Sequence, residues 1–326
     1  MNQHRLRIVA LAGAVLLLAA CATPPKAPRY GYWSYVRTPI GPFWWAELID
    51  INGARAKAGT GAGTTVAIVG TGVLKRHEDL LTVVSGEATC GNSPTDTDDR
   101  NGHGTQLTGI VAGIDPGAAT RGVAPHAAVI PIKVDCGAVS AEALTKGVDA
   151  AIARKPDIIL IAIGGYPSAD VSSFMLSRVT GNSGILFVVA SVWDGTHYAF
   201  PTWTQTDNAL LVASMTLDAE KGDPTRIDRT KEIPYSARRG DIWAPGRNIG
   251  TADIELEAGS TTKHSQYLMH GTSPAAAAVA GCAALVKTKI GARGADLKRA
   301  LLAGAEPKPD LGPGPNGRLN CARAVP

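Results

Sequence analysis

The feature that most constrains this chain is a repeated alternation of short, unbroken apolar runs with longer stretches of helical periodicity. Val66–Val69 is such a run, and Gly70-Thr71-Gly72 turns the chain out of it. Continuous β-branched and aliphatic runs of this length read as parallel strands buried on both faces. Similar runs occupy Ala128–Val134, Ile158–Ile163, Ile185–Ala190 and Leu210–Ser214. Between them lie helical patterns such as Ser140–Lys155, where Ser140 is a good N-cap and Glu142 suits the first turn. His270–Ile290 reads as a long helix of small residues, with Pro274 suited to its first position. The alternation predicts an α/β fold with a mostly parallel sheet and helices on both faces.

Charge and composition narrow the function classes. The formal charge of +4 falls to about +2 once Arg5 and Arg7 of the expected leader are removed. With no basic stripe, nucleic acid is not an expected partner. A composition of 45% hydrophobic and 18% charged residues is that of an ordinary globular protein.

The N-terminus carries a processing signature. A basic start, MNQHRLR, precedes an apolar stretch, Ile8–Leu18, that is too short for a comfortable membrane span. Leu18-Ala19-Ala20-Cys21 resembles the lipobox of bacterial lipoproteins, which implies cleavage before Cys21 and acylation of that residue. Several acyl chains anchor far more firmly than one. Ala22, in place of an inner-membrane retention aspartate, favours an outer-membrane address in the cell envelope. The expected organisation is a signal peptide over 1–20, a Pro- and aromatic-rich tether over 21–43, and one domain over 44–326.

Cys90, Cys136, Cys282 and Cys321 remain, and an even number in an exported chain reads as two disulfides with three connectivities. No Cys-x-x-Cys or His-Glu-x-x-His occurs, so no metal or other cofactor is expected. His77-Glu78-Asp79 reads as a solvated loop.

Two stretches carry chemical grammar. Asp98–Gly113 places His103 between glycines at a helix start, and His270–Gly281 places Ser273 at another. A serine at a helix N-terminus has backbone N–H donors nearby for an oxyanion, and a histidine can take its proton. In these and their surroundings the chain resembles the subtilases, the subtilisin-like serine peptidases. The matching segments run in family order: TTVAIVGTGV, NGHGTQLTGIVAG, RGVAPHAAVIPIKV, IAIGG, FVVASVWDG, DIWAPG, HGTSPAAAAVAG and GPNGRLNCARAV. The resemblance implies a three-layer subtilisin-like fold, with His103 as base and Ser273 as nucleophile.

Two departures bear on activity. The family ends its first strand in Asp-Thr-Gly, the aspartate completing the triad, and here Gly70 occupies that place. The family's Ala-Ala-Gly-Asn supplies an oxyanion-hole amide, and here Trp193 stands in its place. In subtilisins, losing the aspartate costs about 3 × 10⁴ in turnover. Losing the asparagine costs about 10²–10³. Asp98, Asp99 and Asp194 are the carboxylates close enough in sequence to stand in, and Asp98 and Asp99 read rather as solvated loop acids before a helix.

The resemblance also marks Ile163, Gly164 and Gly165 as the strand that would pair with a bound peptide. With Cys282 on the serine helix and Cys321 in the closing segment, one bridge would join these two and the other Cys90 to Cys136. The expected function is a membrane-anchored, impaired peptidase homologue that binds peptides or proteins. An active serine endopeptidase is the alternative.

Overall fold

The computed structural model describes residues 43–114, 122–163, 169–191, 202–219, 227–235, 239–254, 266–311, 315 and 317–326. The leader, Cys21 and most of the expected tether lie outside the described residues. After α1 (Trp44–Leu48) and α2 (Ile51–Ala58), the chain enters β1 (Thr65–Gly70) and then β2 (Glu87–Ala88). It continues through α3 (His103–Ala112), β3 (Ala128–Lys133), α4 (Ala141–Ala153), β4 (Ile158–Ile161), α5 (Ala169–Gly181) and β5 (Leu186–Ala190). Next come β6 (Ala209–Ala219), β7 (Ile227–Tyr235), β8 (Ile242–Pro245), β9 (Ile249–Ala252) and β10 (Gln266–Met269). The long helix α6 (Thr272–Ile290), α7 (Gly294–Ala303) and the short α8 (Cys321–Ala324) close the fold.

The main sheet runs β2-β3-β1-β4-β5-β6-β7, with β8 also paired to β6. Every pairing is parallel except β6 with β7. The order reverses at β1, whose neighbours β3 and β4 lie on opposite sides and follow it in the chain. Such a switch point opens a crevice at the carboxyl ends of the strands, where side chains and ligands can gather.

Alternation along each strand divides the core. Val66 and Ile68 pack with α2, α3 and α6, whereas Ala67 and Val69 pack with α4 and α5. Both faces are covered, which is why the strands read as unbroken apolar runs. Each such buried aliphatic side chain contributes about 1.5–3 kcal/mol. Ser140 caps α4 as expected, its Oγ accepting from Ala143 N at 3.0 Å.

Helix α6 is buried from Pro274 to Val286, the condition of a helix apolar all round. A Cβ on Gly281 would come within 2.5 Å of Val123 Cβ, so the bare backbone is what lets α6 lie this close. Pro274 sits third in the helix, not first: Gly271, at φ +118°, makes the turn into it. β6 runs past the expected Ser214 because its polar end pairs antiparallel with β7.

Candidate active site

Gly70, Lys133, Ala162 and Ser191 stand at or just beyond the carboxyl ends of β1, β3, β4 and β5. Over them lie the N-termini of α3 and α6, which pack against each other on the same sheet face. His103 opens α3, and Ser273 is the second residue of α6.

The approach to His103 is wired by one carboxylate. Asp99 Oδ1 accepts from Asn101 N and Gly102 N, both at 2.9 Å. Its Oδ2 accepts from Thr105 N at 2.9 Å and Thr105 Oγ1 at 2.7 Å. Asp99 therefore satisfies N–H groups that a helix start leaves without partners. Thr71 Oγ1 accepts from Gly104 N at 2.8 Å, fastening the helix to the turn after β1. A side chain on Gly104 would collide with Gly72 O, so only glycine permits this approach. The expectation of two solvated acids fails at Asp99, which is 3% exposed. Asp98 is half-buried.

His103 keeps part of its surface open, but its surroundings hold the imidazole below its ordinary value of 6.5. Burial is the main cause, opposed by the negative charges of Asp99 and Asp135. Among the described residues, no carboxylate hydrogen-bonds to the ring, Asp99 included. Asp135 follows β3, its N donating to Gly70 O at 3.3 Å and its Oδ1 accepting from Gly137 N at 2.8 Å.

Ser273 is held from the other side. Its Oγ donates to Ala162 O at 3.3 Å, and Thr272 Oγ1 donates to Ser191 O at 2.7 Å. The start of α6 is thus pinned to the ends of β4 and β5, of which β4 lies beside β1. No hydrogen bond joins His103 to Ser273 among the described residues. Such bonds are commonly loose before substrate binds. His270, exposed beside Ser273, accepts at Nδ1 from Asn248 N at 3.3 Å. Burial and the nearby Arg247 lower its pKa.

At the end of β1, Gly70 is buried in ordinary strand register beside Lys133. A Cβ built there meets no other heavy atom within 4 Å among the described residues. Lys133 is 3% exposed, and its Nζ donates to Asp98 O at 2.6 Å. Sequence reasoning missed Lys133 and Asp135, because their place depends on which strand lies beside β1.

Other expected residues separate cleanly. Ile163 is half-buried and follows Ala162, while Gly164, Gly165, Trp193 and Asp194 lie outside the described residues. Cys90 and Cys136 are joined by a disulfide. The expected Cys282–Cys321 bridge is not closed: both are buried free thiols in contact inside the apolar core, where cysteine packs as a small hydrophobe. Burial and the neighbouring Cys282 push the Cys321 thiol well above its ordinary pKa. His77 and Asp79 are buried at 4% and 2%, not solvated: Asp79 N donates to His77 Nδ1 at 3.2 Å. Among the described residues no cluster of three His, Cys, Asp or Glu could hold a metal.

The arrangement has the parts of acyl-transfer chemistry: a hydroxyl at a helix N-terminus, and an imidazole across the crevice with proton-accepting character. A model of the subtilase family matches residues 61–318. Subtilisin DY of Bacillus licheniformis is 29% identical over 248 residues, 74% of this chain and 83% of that protein. Subtilisin Savinase of Lederbergia lenta is 30% identical over 251 residues, covering 76% and 84%. Among solved structures, MycP1 with its N-terminal propeptide removed superimposes with a TM-score of 0.66 at 21% identity, over 87% of this chain and 96% of that one. A cold-adapted subtilisin-like serine proteinase gives 0.64 at 23% identity, covering 80% and 90%. The chain belongs to the subtilase family, with a subtilisin-like α/β fold.

Proposed function

We infer that the protein is a catalytically impaired subtilisin-like peptidase homologue that binds peptides or proteins in its cleft, anchored in the cell envelope by lipid on Cys21. The observation that carries the impairment is Gly70 at the end of β1, with no carboxylate on the His103 ring among the described residues. A triad carboxylate holds the imidazole in one tautomer and stabilises the imidazolium formed as the serine attacks. A glycine at that place does neither. Trp193, where the family has its oxyanion-hole asparagine, supports the same reading from sequence.

Peptide binding follows from the family and from Ile163 at the crevice, next to the carbonyl that receives the Ser273 hydroxyl. Extended chains add to such a strand through backbone hydrogen bonds. The lipobox supports the anchor and an outer-membrane address facing the periplasm or the exterior.

The test is peptide hydrolysis by the wild type beside the double variant Gly70→Asp/Trp193→Asn. The open space at Gly70 leaves room for the new side chain. Turnover should rise by about 10⁴ or more in the double variant. Wild-type turnover equal to that of the double variant would overturn the reading. An active endopeptidase is the second reading, favoured by His103 and Ser273 both standing at the crevice and by the negative charges of Asp99 and Asp135 near the ring. Rapid, stoichiometric fluorophosphonate labelling of Ser273 in the wild type would select it.

A further inference from the structure

We propose that the space above Gly70 is a receptor for a carboxylate supplied from outside the chain, which then accepts the Nδ1–H of His103. The proposal rests on reading His103 as base and Ser273 as nucleophile.

Three observations point to it. First, Gly70 is buried yet uncrowded. Gly59, Gly63, Gly137, Gly181 and Gly291 also meet nothing within 4 Å, but all five are exposed. Gly72, Gly86, Gly104 and Gly109 nearby would each collide with backbone or side chain. Close packing therefore does not explain a glycine at 70, and the room it leaves faces the α3–α6 side of the sheet, as Val66 and Ile68 do.

Second, a buried cation stands beside that room. Lys133 pairs with Gly70 in parallel register, so both positions lie on the same sheet face. Its ammonium donates to a neutral carbonyl, Asp98 O, and makes no ion pair among the described residues, although its charge reaches the Asp96 carboxylate, which Arg100 already pairs. A buried charge without a counter-ion in contact is costly, and an incoming anion would relieve it.

Third, His103 is fixed next to the same turn through Gly104 N and Thr71 Oγ1. The local acids leave the need unmet. Asp99 already accepts four hydrogen bonds, and Asp135, turned to Gly137 N, makes no hydrogen bond to the ring. Their negative charge opposes the incoming anion, while Lys133 favours it.

The ligand is a small carboxylate, either a free acid or the side chain of an Asp or Glu in the bound peptide. During attack the Ser273 proton passes to the imidazole, and the carboxylate accepts a hydrogen bond without being consumed.

The test measures peptide hydrolysis by the full chain in formate or acetate, against equal chloride. Paired peptides carry Asp or Asn, and Glu or Gln, beside the scissile bond. Formate should raise turnover saturably, on the order of 10- to 100-fold, as expected of one charge-assisted hydrogen bond. A gain with formate alone identifies a free acid, and a gain with the acidic peptides alone identifies a substrate side chain. Gly70→Leu, which fills the space, and Lys133→Met should each remove the gain. As a measurement independent of turnover, formate should shift the His103 imidazole resonances saturably in the wild type and not in Gly70→Leu. Activity in Gly70→Asp/Trp193→Asn with no gain from formate or acidic peptides in the wild type would overturn the receptor. An inactive Gly70→Asp/Trp193→Asn double variant would instead refute the base-and-nucleophile reading, and the imidazole resonances then decide: no shift overturns the receptor as well.

Discussion

The two ledges that flank the imidazole are built to opposite standards. On the helix side, a single carboxylate receives four hydrogen bonds and a threonine hydroxyl from the next loop secures the first turn. On the strand side, at Gly70, a built Cβ touches nothing among the described residues. The contrast teaches that placing the histidine and polarising it are separate structural tasks. Asp99 and Thr71 perform the first through the backbone, whatever residue ends β1. A change confined to the strand side therefore leaves the helix start well formed.

The largest expected break in that contrast comes from Asp99→Ala. Four donors lose their acceptor, two of them at the helix start, and stability should fall by about 2–4 kcal/mol. The urea midpoint should drop with an unchanged m-value. Gly104→Ala and Gly70→Ala, made side by side, sharpen it further. The first forces a methyl into Gly72 O and should cost about 1–3 kcal/mol, the second should be neutral or stabilising by about 0.5 kcal/mol. Equal thermal shifts for the two would erase the distinction.

The smallest effect is in pH. Burial lowers the His103 pKa, so the folded state takes up its proton less readily than the unfolded chain. The stability that this contributes is complete above about pH 6.5 and is lost as pH falls toward the folded value. His103→Gln should flatten that limb of a urea-midpoint profile, and an unchanged slope would show that other groups govern it.

Much of the frame was legible because strands buried on both faces write themselves as apolar runs. The cores of β1, β3, β4 and β5 fall where Val66–Val69 and its counterparts suggest. β7 escaped notice: Asp228, Arg229, Lys231, Glu232 and Pro234 give it no apolar run, as suits the last strand on its side of the sheet. The helix starts at His103 and Ser273 were legible because glycine and small residues around such a start are written locally. Lys133 was not, since its partnership with Gly70 depends on register between strands more than 60 residues apart. Asp99 was visible as a residue and misread as a solvated one, because nothing local states that a loop carboxylate will be enclosed.

The bond between Cys90 and Cys136 has a consequence for damage. It closes a covalent ring around Asp99, His103, all of α3, Lys133 and Asp135, and Ser273 lies outside it. Restricting a loop of this length in the unfolded chain is worth about 4 kcal/mol. Should another protease nick the backbone once anywhere inside the ring, the severed ends would stay covalently joined to one molecule, and the imidazole would remain on its platform.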